Sequence, residues 1–503
     1  MIASRTQRLG IFVCALICAA LALGGQNPVP LGVFDGNSDV GAVSHAGKAS
    51  YDASTRTYTV SGSGENMWFA SDGFQFVWKQ VSGDVTLTAD VAFPVQGGNA
   101  HRKAVLMIRQ SLDADSAYAD AALHGDGLTS LQARSETGAV THEVQANRVA
   151  PHRLRIVKQG GQIYIFLAGE GEPLSFAGGS VGLSLQEPFY VGIGVCSHEK
   201  DAVETAVFSN VELKSVALSA TAQKRLYSTL QTVTVASTDA RAVYVTAGRI
   251  ESPVWTHDGS ALLFNAEGRI QQIAATGGHP QAVDTGAARH CDSHHAVSPD
   301  GQSLALGDDT REPGKTAIYV VSLAAGAPIA PRRITQVLPA WGPTWSPDGK
   351  TLAYTSERDG KVDIYSSSAT GGTEARLTNG PGRNEAPEFS PDGEFIYFNS
   401  SRSGSRQVWR MRPDGSAHEQ VTDDAYANLY PHVSPDGKRI VFLSYDKKLD
   451  LPQDTQALLR TMTLADKKTA FLAAFSGGLG SIDAPSWSPD SKRVAFVSYQ
   501  QLP

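Results

Sequence analysis

The sequence of 503 residues contains few cysteines, few charged residues and only one long apolar run. Two of its four cysteines, Cys14 and Cys18, fall inside that apolar run near the N-terminus. The other two, Cys196 and Cys291, could form a single disulfide in an oxidising compartment. We expect instead that both are buried free thiols.

Charged residues make up only 18% of the chain, whereas glycine (49 residues) and proline (25 residues) are plentiful. That balance is typical of turn-rich β structure and argues against a bundle of helices. The formal net charge of −7 is small for this length and excludes a broadly basic surface. We therefore expect no nucleic acid among the partners.

The apolar run lies at the start of the chain and is typical of an export signal. Arg5 and Arg8 precede the apolar stretch Gly10–Leu23, which is too short for a comfortable membrane span. Small residues suitable for cleavage follow, up to Gly25. The sequence thus predicts a signal peptide over residues 1–25 and a periplasmic or secreted mature chain without a membrane span.

A four-residue turn recurs through the second half of the chain. "SPDG" begins at Ser298, Ser346, Ser390 and Ser434, and its variants "THDG" and "SPDS" begin at Thr256 and Ser488. Each turn is followed by an apolar strand such as "TLAYTS" or "FIYFNS", and further short strands follow in several repeats. Proline, aspartate and glycine suit a tight turn. Spacings of 42 to 54 residues predict four-stranded blades of a β-propeller.

Six turns predict six blades, but the last turn has too little chain after it. Only one strand, "KRVAFVSY", fits between that turn and the C-terminus. The segments Leu230–Ser237 and Arg241–Ala247 form a predicted hairpin just before the first turn. We expect this hairpin to complete the last blade and to close the ring, which leaves only short protected edges.

The repeated "WSPDGK" with "LAYTS" and "IYFNS" resembles the TolB-type six-bladed propellers, with their WD-like repeats, over residues 222–503. This resemblance implies the fold more than the function. Such propellers serve as protein-binding platforms, periplasmic assembly factors, peptidase lids and polysaccharide lyases.

Residues 31–216 lack the repeated turn and contain alternating apolar strands, which predict a β-sandwich. "KAVLMIRQSLDADSAYADAAL" and "VGIGVCSH" resemble concanavalin-like jelly-roll modules, and this resemblance implies carbohydrate binding only loosely. The predicted junction to the propeller is Ala217–Leu226. Candidate sugar-contacting residues are Trp68, Phe69, Trp78, Tyr118, Arg109, Arg134 and His124. For the aromatic ones we favour the alternative that most pack in the core.

Counting back from each turn places side chains along the innermost strand of its blade. The residue directly before the turn is apolar and large or branched, as in Trp255 and Trp345, and is predicted to pack between blades. Residues further back are predicted to line the central channel and to converge at one mouth. The predicted site consists of Glu251, Glu385 and Asp483 as catalytic residues, His290, His295, Trp341 and Tyr430 as ligand-binding residues, and His294 and His432 as metal ligands.

Histidines, carboxylates and an aromatic wall predict a binding pocket, and imidazole with carboxylate is a ligand set for zinc- or manganese-like ions. A divalent metal is therefore the candidate cofactor. "YPHVSPDG" at Tyr430–Gly437 also resembles oligogalacturonate lyases, propeller enzymes that hold a metal through histidines. That family has seven blades, so we carry the resemblance over to His432 alone. The alternative is that these histidines bond only water and carbonyls in a wet channel.

Two functions remain open from the sequence. The first is an exported binding protein that recognises a polysaccharide, a peptide or an envelope protein at the channel mouth, with the sandwich as a second, carbohydrate-binding site. The second is a carbohydrate-active lyase or hydrolase that uses the histidines and carboxylates. A true Tol-system role is a third reading, which the additional front domain makes less natural.

Overall fold

The computed structural model describes residues 31–215, 224–324, 330–449, 455–484 and 486–502. The predicted signal peptide and most of the predicted junction lie outside these residues. The described chain is all β. It contains no helix that is long and apolar enough to cross a membrane.

Residues 31–215, which we call the front module, form sixteen strands. They are β1 (Gly36–Val40), β2 (Lys48–Asp52), β3 (Thr57–Gly64), β4 (Met67–Trp68), β5 (Ser71–Asp72), β6 (Phe74–Val81), β7 (Val85–Ala92), β8 (Lys103–Arg109), β9 (Tyr118–His124), β10 (Thr129–Arg134), β11 (His142–Gln145), β12 (Arg153–Gln159), β13 (Gln162–Ala168), β14 (Ser175–Gly182), β15 (Phe189–Cys196) and β16 (Glu199–Ser215).

Two antiparallel sheets of the front module share one apolar core. One sheet has the order β14-β13-β12-β7-β16-β3-β2, and the other begins β1-β6-β15-β8-β9-β10-β11. Alternate residues of each strand point into the space between the sheets, as the two-residue period of a strand requires. Leu87 and Ile156 of the first sheet meet Leu106 and Ile193 of the second there, all fully buried.

The outer face of the second sheet is also buried, and it holds a charged cluster. Asp72 accepts two hydrogen bonds from Arg134, at 2.7 and 3.0 Å, and lies 3.4 Å from Arg109. All three side chains are fully enclosed. Tyr118 and His124 are buried on the same face. The candidate sugar contacts Tyr118, Arg109, Arg134 and His124 are therefore wrong, because these side chains are internal.

The remaining chain contains 23 described strands. They are β17 (Arg225–Thr234), β18 (Ala240–Ala247), β19 (Ile250–Trp255), β20 (Ala261–Ala266), β21 (Arg269–Ala274), β22 (Gln281–Ala282), β23 (Cys291–Val297), β24 (Ser303–Asp308), β25 (Ala317–Ser322), β26 (Arg332–Arg333), β27 (Ala340–Trp345), β28 (Thr351–Arg358), β29 (Lys361–Ser368), β30 (Ala375–Arg376), β31 (Asn384–Phe389), β32 (Ile396–Ser400), β33 (Gln407–Met411), β34 (Glu419–Gln420), β35 (Tyr426–Val433), β36 (Arg439–Asp446), β37 (Thr455–Thr463), β38 (Thr469–Gly477) and β39 (Arg493–Leu502).

Strands β19 to β38 form five consecutive four-stranded antiparallel sheets, the blades of a propeller. The C-terminal strand β39 pairs along its whole length with β17, and β17 pairs with β18. Trp487, just before the sixth turn, bridges to Val494 of β39. At its far side β18 pairs in parallel with β11 through Ala240 and Arg241. The second sheet of the front module thereby continues into the propeller as one ten-stranded sheet.

All six repeated turns have the same geometry. The first residue, serine or threonine, donates from its hydroxyl to the aspartate two residues later, at 2.5 to 2.7 Å. The fourth residue has φ between 60° and 72°, a conformation that favours glycine. Glycine fills this position in five turns and Ser491 in the sixth. The sequence variants of the turn therefore still make the same turn.

Tryptophans directly before the turns tie neighbouring repeats together. The indole N–H of Trp345 donates to the carbonyl of Ala296 at 3.0 Å, and that of Trp487 to the carbonyl of His432 at 2.9 Å. Trp255 of the first repeat donates in the same way to Ser486 of the last, at 3.1 Å. The first and last repeats are therefore joined by the same contact that joins their neighbours.

The tryptophan contacts predict a measurable loss of stability. We expect Trp255→Phe to lower the free energy of unfolding by about 1 kcal/mol, because it removes one internal hydrogen bond. Trp409→Phe is the matched control, since the indole nitrogen of Trp409 is buried without a hydrogen-bond partner among the described residues. Denaturant unfolding of both variants measures the difference, and equal losses would contradict the assignment.

The charged cluster of the front module predicts a larger effect. Asp72→Asn leaves two buried guanidinium groups without their counter-charge, so we expect a loss of about 3–5 kcal/mol in the free energy of unfolding. The control is Asp35→Asn, which breaks an exposed ion pair with Lys79 and should change stability little. Denaturant unfolding reports both. A loss for Asp72→Asn no larger than the control's would show that the cluster does not stabilise the module.

Candidate functional site

The innermost strands of the blades carry a regular defect near their start. The pairing with the second strand jumps between Glu251 and Val254, and likewise between Trp341 and Thr344 and between Glu385 and Glu388. A proline lies inside each jump: Pro253, Pro343 and Pro387, with Pro431 in the next blade. Proline has no N–H to donate to a ladder, so each strand forms a β-bulge there.

The residue before the proline adopts a left-handed conformation in these bulges. Ser252, Ala386 and Tyr430 each have φ of 55°, and Gly342 has φ of 63°. The bulge breaks the simple alternation of side chains along the strand. Side chains before and after the bulge can therefore point toward the same end of the blade. The second blade has His295 in place of the proline, and its pairing jumps from Cys291 to His295.

The bulged ends of four inner strands enclose a cavity of about 160 Å³, which we call the mouth cavity. It is lined by His294, His295, Trp341, Gly342, Pro343, Thr344, Thr355, Arg383, Glu385, Ala386, Pro387, Glu388, Tyr430, His432, Leu479 and Asp483. Seven of the nine predicted site residues therefore lie together. The exceptions are Glu251, which lies behind Asp483 and His294 and interacts with both electrostatically, and His290.

His290 lies outside the mouth cavity, contrary to the prediction. Its ring is largely exposed and its Nδ1 bonds the carboxylate of Asp309. The strand β23 begins at Cys291, so His290 precedes the part of the strand that enters the blade.

Both ring nitrogens of His432 take part in hydrogen bonds. Its Nδ1 lies 2.5 Å from Glu388 Oε2, and its Nε2 lies 2.5 Å from the carbonyl oxygen of Ile482. Both partners are acceptors, so both ring nitrogens carry protons. Burial opposes that charge, but Glu388 and the carbonyl outweigh it and raise the pKa of His432 above 6.5. The predicted role of His432 as a metal ligand would require it to give up one of these hydrogen bonds and a proton, because a ligand needs an unprotonated nitrogen. Within the described residues no group of three histidine, cysteine or acidic side chains has metal-binding geometry.

Glu385 is held by two cations at the rim of the cavity. Its carboxylate lies 3.1 Å from Arg383 and 3.2 Å from Arg406. These ion pairs tie Glu385 to the loop before its strand and to the next hairpin of its blade.

His295 is the most unusual wall residue. Its side chain is only 1% exposed, and neither ring nitrogen has a hydrogen-bond partner among the described residues. Burial lowers the pKa of His295 to about 4, so the ring is neutral at physiological pH. A neutral imidazole offers one N–H donor and one nitrogen acceptor, and here the backbone of Leu263 and Ser293 lies nearby without completing a hydrogen bond of ordinary geometry.

Asp483 leaves a second unused group on the same wall. Its Oδ2 accepts from the backbone N–H of Gly480 at 2.8 Å, whereas Oδ1 is buried without a partner in the described part of the chain. Burial raises the pKa of Asp483, and the charge of His294 opposes that rise. The wall therefore offers a ligand both donors and acceptors.

His294 and Glu251 complete the charge pattern. Burial would discharge His294, but Asp292, Asp483 and Glu251 together raise its pKa to about 9, so it is cationic at neutral pH. Burial and the neighbouring Asp483 raise the pKa of Glu251 to about 7. His294 is thus a cation close to the carboxyl groups of Asp292, Asp483 and Glu251, and it lines the cavity together with the aromatic residues Trp341 and Tyr430.

Sequence reasoning missed several residues of this site. Glu388 lies two residues before the turn of the fourth blade, and His432 has the same position in the fifth blade. This shared position could have identified Glu388 from the sequence. Arg383 lies two residues before Glu385, just ahead of the strand. Thr355 comes from the second strand of its blade, and no pattern in the sequence points to it.

Comparison with known proteins supports the propeller and names its family. A family model of the TolB beta propeller domain matches residues 294–472. An uncharacterized protein of Agrobacterium fabrum is 42% identical over 274 residues, which cover 54% of this chain and 92% of that protein. A TolB homologue of Chlorobaculum tepidum is 37% identical over 87 residues, which are 17% of this chain and 19% of that protein.

A solved structure from Agrobacterium tumefaciens, provisionally assigned as TolB, is 41% identical to this chain. The match covers 55% of this chain and 99% of that one, with a TM-score of 0.53. The repeated turns, the five blade sheets and these matches agree, and the chain therefore belongs to the TolB-like β-propeller family.

Proposed function

We propose that this chain is an exported TolB-like binding protein whose propeller takes one polar group of an envelope protein into the mouth cavity. The volume supports a single group. At roughly 30 Å³ per water molecule, about 160 Å³ has room for some five waters, or for one side chain or chain end. A larger ligand would stay outside and rest on the rim.

One observation carries the proposal: His295 and Asp483 present unused hydrogen-bonding groups to the same small space. A buried polar group without a partner costs about 1–3 kcal/mol, so a ligand that satisfies both recovers that free energy. The ligand must both donate and accept hydrogen bonds. A peptide group does so, and Trp341 and Tyr430 offer aromatic surface for the atoms beside it.

A second candidate function is a carbohydrate-active enzyme, and Glu251 is the observation that favours it. A carboxyl group with a pKa of about 7 next to Asp483 and the cationic His294 is a suitable general acid or base. This reading predicts cleavage of a uronic-acid or other polysaccharide. The predicted metal ligands His294 and His432 would each have to give up a proton to bind an ion, because both have raised pKa values. Unchanged product profiles over a broad polysaccharide panel would dismiss it.

We also infer the finer architecture. The hairpin β17–β18, strand β39 and Trp487 constitute a sixth blade, supported by the sixth turn and by the bond from Trp255 to Ser486.

The front module is assigned to the concanavalin-like sandwiches on its two facing sheets. If it contacts carbohydrate, Phe69 is the remaining exposed aromatic candidate, with 69% of its surface accessible. Periplasmic or secreted location follows from the predicted signal peptide, and cell fractionation tests it.

The proposed binding predicts which variants lose the partner. Affinity capture from an envelope extract should retain a polypeptide on the wild-type protein and lose most of it on Trp341→Ala and on Asp483→Asn. Both changes remove cavity-lining groups. Leu449→Ala, at an exposed position outside both the mouth cavity and the other pockets, is the control and should retain it. Equal capture by all variants would place the binding elsewhere.

The His432–Glu388 pair predicts a pH-dependent stability. A folded-state pKa above 6.5 means that the pair stabilises fully below pH 6.5 and that this contribution is lost as pH rises through the raised pKa. We therefore expect the difference in unfolding free energy between wild type and His432→Asn to be largest at acidic pH and to shrink as pH rises. His279→Asn, at an exposed histidine, should show a small and constant difference. A difference that grows with pH would reverse the assigned protonation.

A further inference from the structure

The outer edge of the fifth blade differs from those of the four blades before it. Their outer strands β22, β26, β30 and β34 are two residues long, whereas β38 extends over nine residues, Thr469–Gly477. Its sequence, "TAFLAAFSG", contains no charged residue and no proline. Natural sheets usually protect such an edge with short strands, charges or proline, because an open edge readily pairs with another chain.

Only one side of β38 is paired within the described chain. Its neighbour is β37, and the sheet ends at β38. The register with β37 jumps at Leu472, which is a bulge. Leu472 packs inward and is buried, whereas Phe471 turns outward with 42% of its surface exposed. The strand therefore presents unpaired backbone groups and a large aromatic side chain to the same side.

A groove of about 370 Å³ lies beside this edge, between the propeller and the front module. We call it the module groove; it is lined by Ala133, Ser135, His142, Glu143, Val144, Ser180, Val181, Gly182, Thr238, Ala240, Phe471, Leu472, Ala473 and Ala474. The Phe471 ring lies 5.5 Å from the ring of His142. Glu143, the one acidic residue in the lining, bonds Gln145 at 2.7 Å. The groove is thus mostly apolar and continues the contact between the two modules.

We propose that the module groove binds an extended, uncharged segment of a partner polypeptide, which adds to β38 as a further strand. The unpaired edge selects an extended backbone, since N–H and C=O groups alternate along it. Val144 and Val181 opposite Phe471 select an apolar side chain. The small volume admits a few residues of one strand rather than a second sheet. This site is separate from the mouth cavity and does not depend on the function proposed for it.

A short synthetic peptide tests the proposal on the full chain. The probe is an acetylated and amidated peptide of alternating threonine and valine with one central phenylalanine, labelled with a fluorophore for anisotropy. We expect binding that Phe471→Ala weakens at least about tenfold, as for an aromatic anchor at an interface. Leu449→Ala is the matched control, because Leu449 lies in the same blade with similar exposure, 40%, outside the groove. It should leave the affinity unchanged.

Two further measurements separate a strand from any other occupant. Hydrogen exchange should slow on residues 469–477 when the peptide binds, since their outward amides acquire partners. The same peptide with N-methyl groups on alternate amides should bind at least about tenfold more weakly, because it cannot complete the ladder. Equal binding of the methylated peptide would mean that the groove accepts an apolar side chain only, and would overturn the strand pairing. No binding to the wild type, or binding that Phe471→Ala does not affect, would overturn the site.

Discussion

The absence of one backbone N–H, at the proline of the first, third, fourth and fifth inner strands, is the constraint on which most of the mouth cavity depends. Without that donor the inner strand cannot pair continuously, and the bulge leaves the preceding residue's own N–H pointing out of its blade. In the fourth blade that N–H, from Ala386, donates to the Thr355 hydroxyl of the preceding blade at 3.1 Å. In the fifth blade the N–H of Tyr430 donates to Asn399 at 2.9 Å. The defect of one strand is thus repaired by its neighbour, and the bulged ends hold one another in place.

Because neighbouring blades satisfy these backbone groups, the two unsatisfied side chains in the cavity wall are candidates for contact with a ligand. The turn hydroxyls, the bulge amides of the fourth and fifth blades and the N–H groups of Trp255, Trp345 and Trp487 find partners at ordinary distances. His295 and Asp483 do not, although both are buried in the same wall. A fold that satisfies its backbone so regularly leaves such groups open where a ligand or ordered water completes them. The two groups share one cavity wall, and for that reason we base the proposed binding on them.

Much of the fold was readable from the sequence because its signals are local. The turn at Ser346 needs only its own four residues, and the proline at Pro387 removes its own donor. Pairing partners distant in sequence were not readable. The pairing of His432 with Glu388, which lies 44 residues earlier, could not be seen in the repeat pattern. Tyr118 shows the same limit. The alternation of side chains along a strand does not reveal whether the outer face of a sheet is exposed or covered by other parts of the chain, and here it is covered.

The rigid wall of the mouth cavity would favour tight binding of a ligand. Glu388 holds His432 and also accepts the N–H of Val433 at 2.8 Å, so this wall is fixed before any ligand arrives. A preorganised wall loses little conformational freedom on binding, and more of each new hydrogen bond then appears as affinity. The module groove is lined mainly by apolar residues, and its edge strand β38 is paired on one side only. A small polar group therefore suits the mouth cavity, whereas a longer apolar segment, with its larger buried area, is needed to bind at the edge of β38.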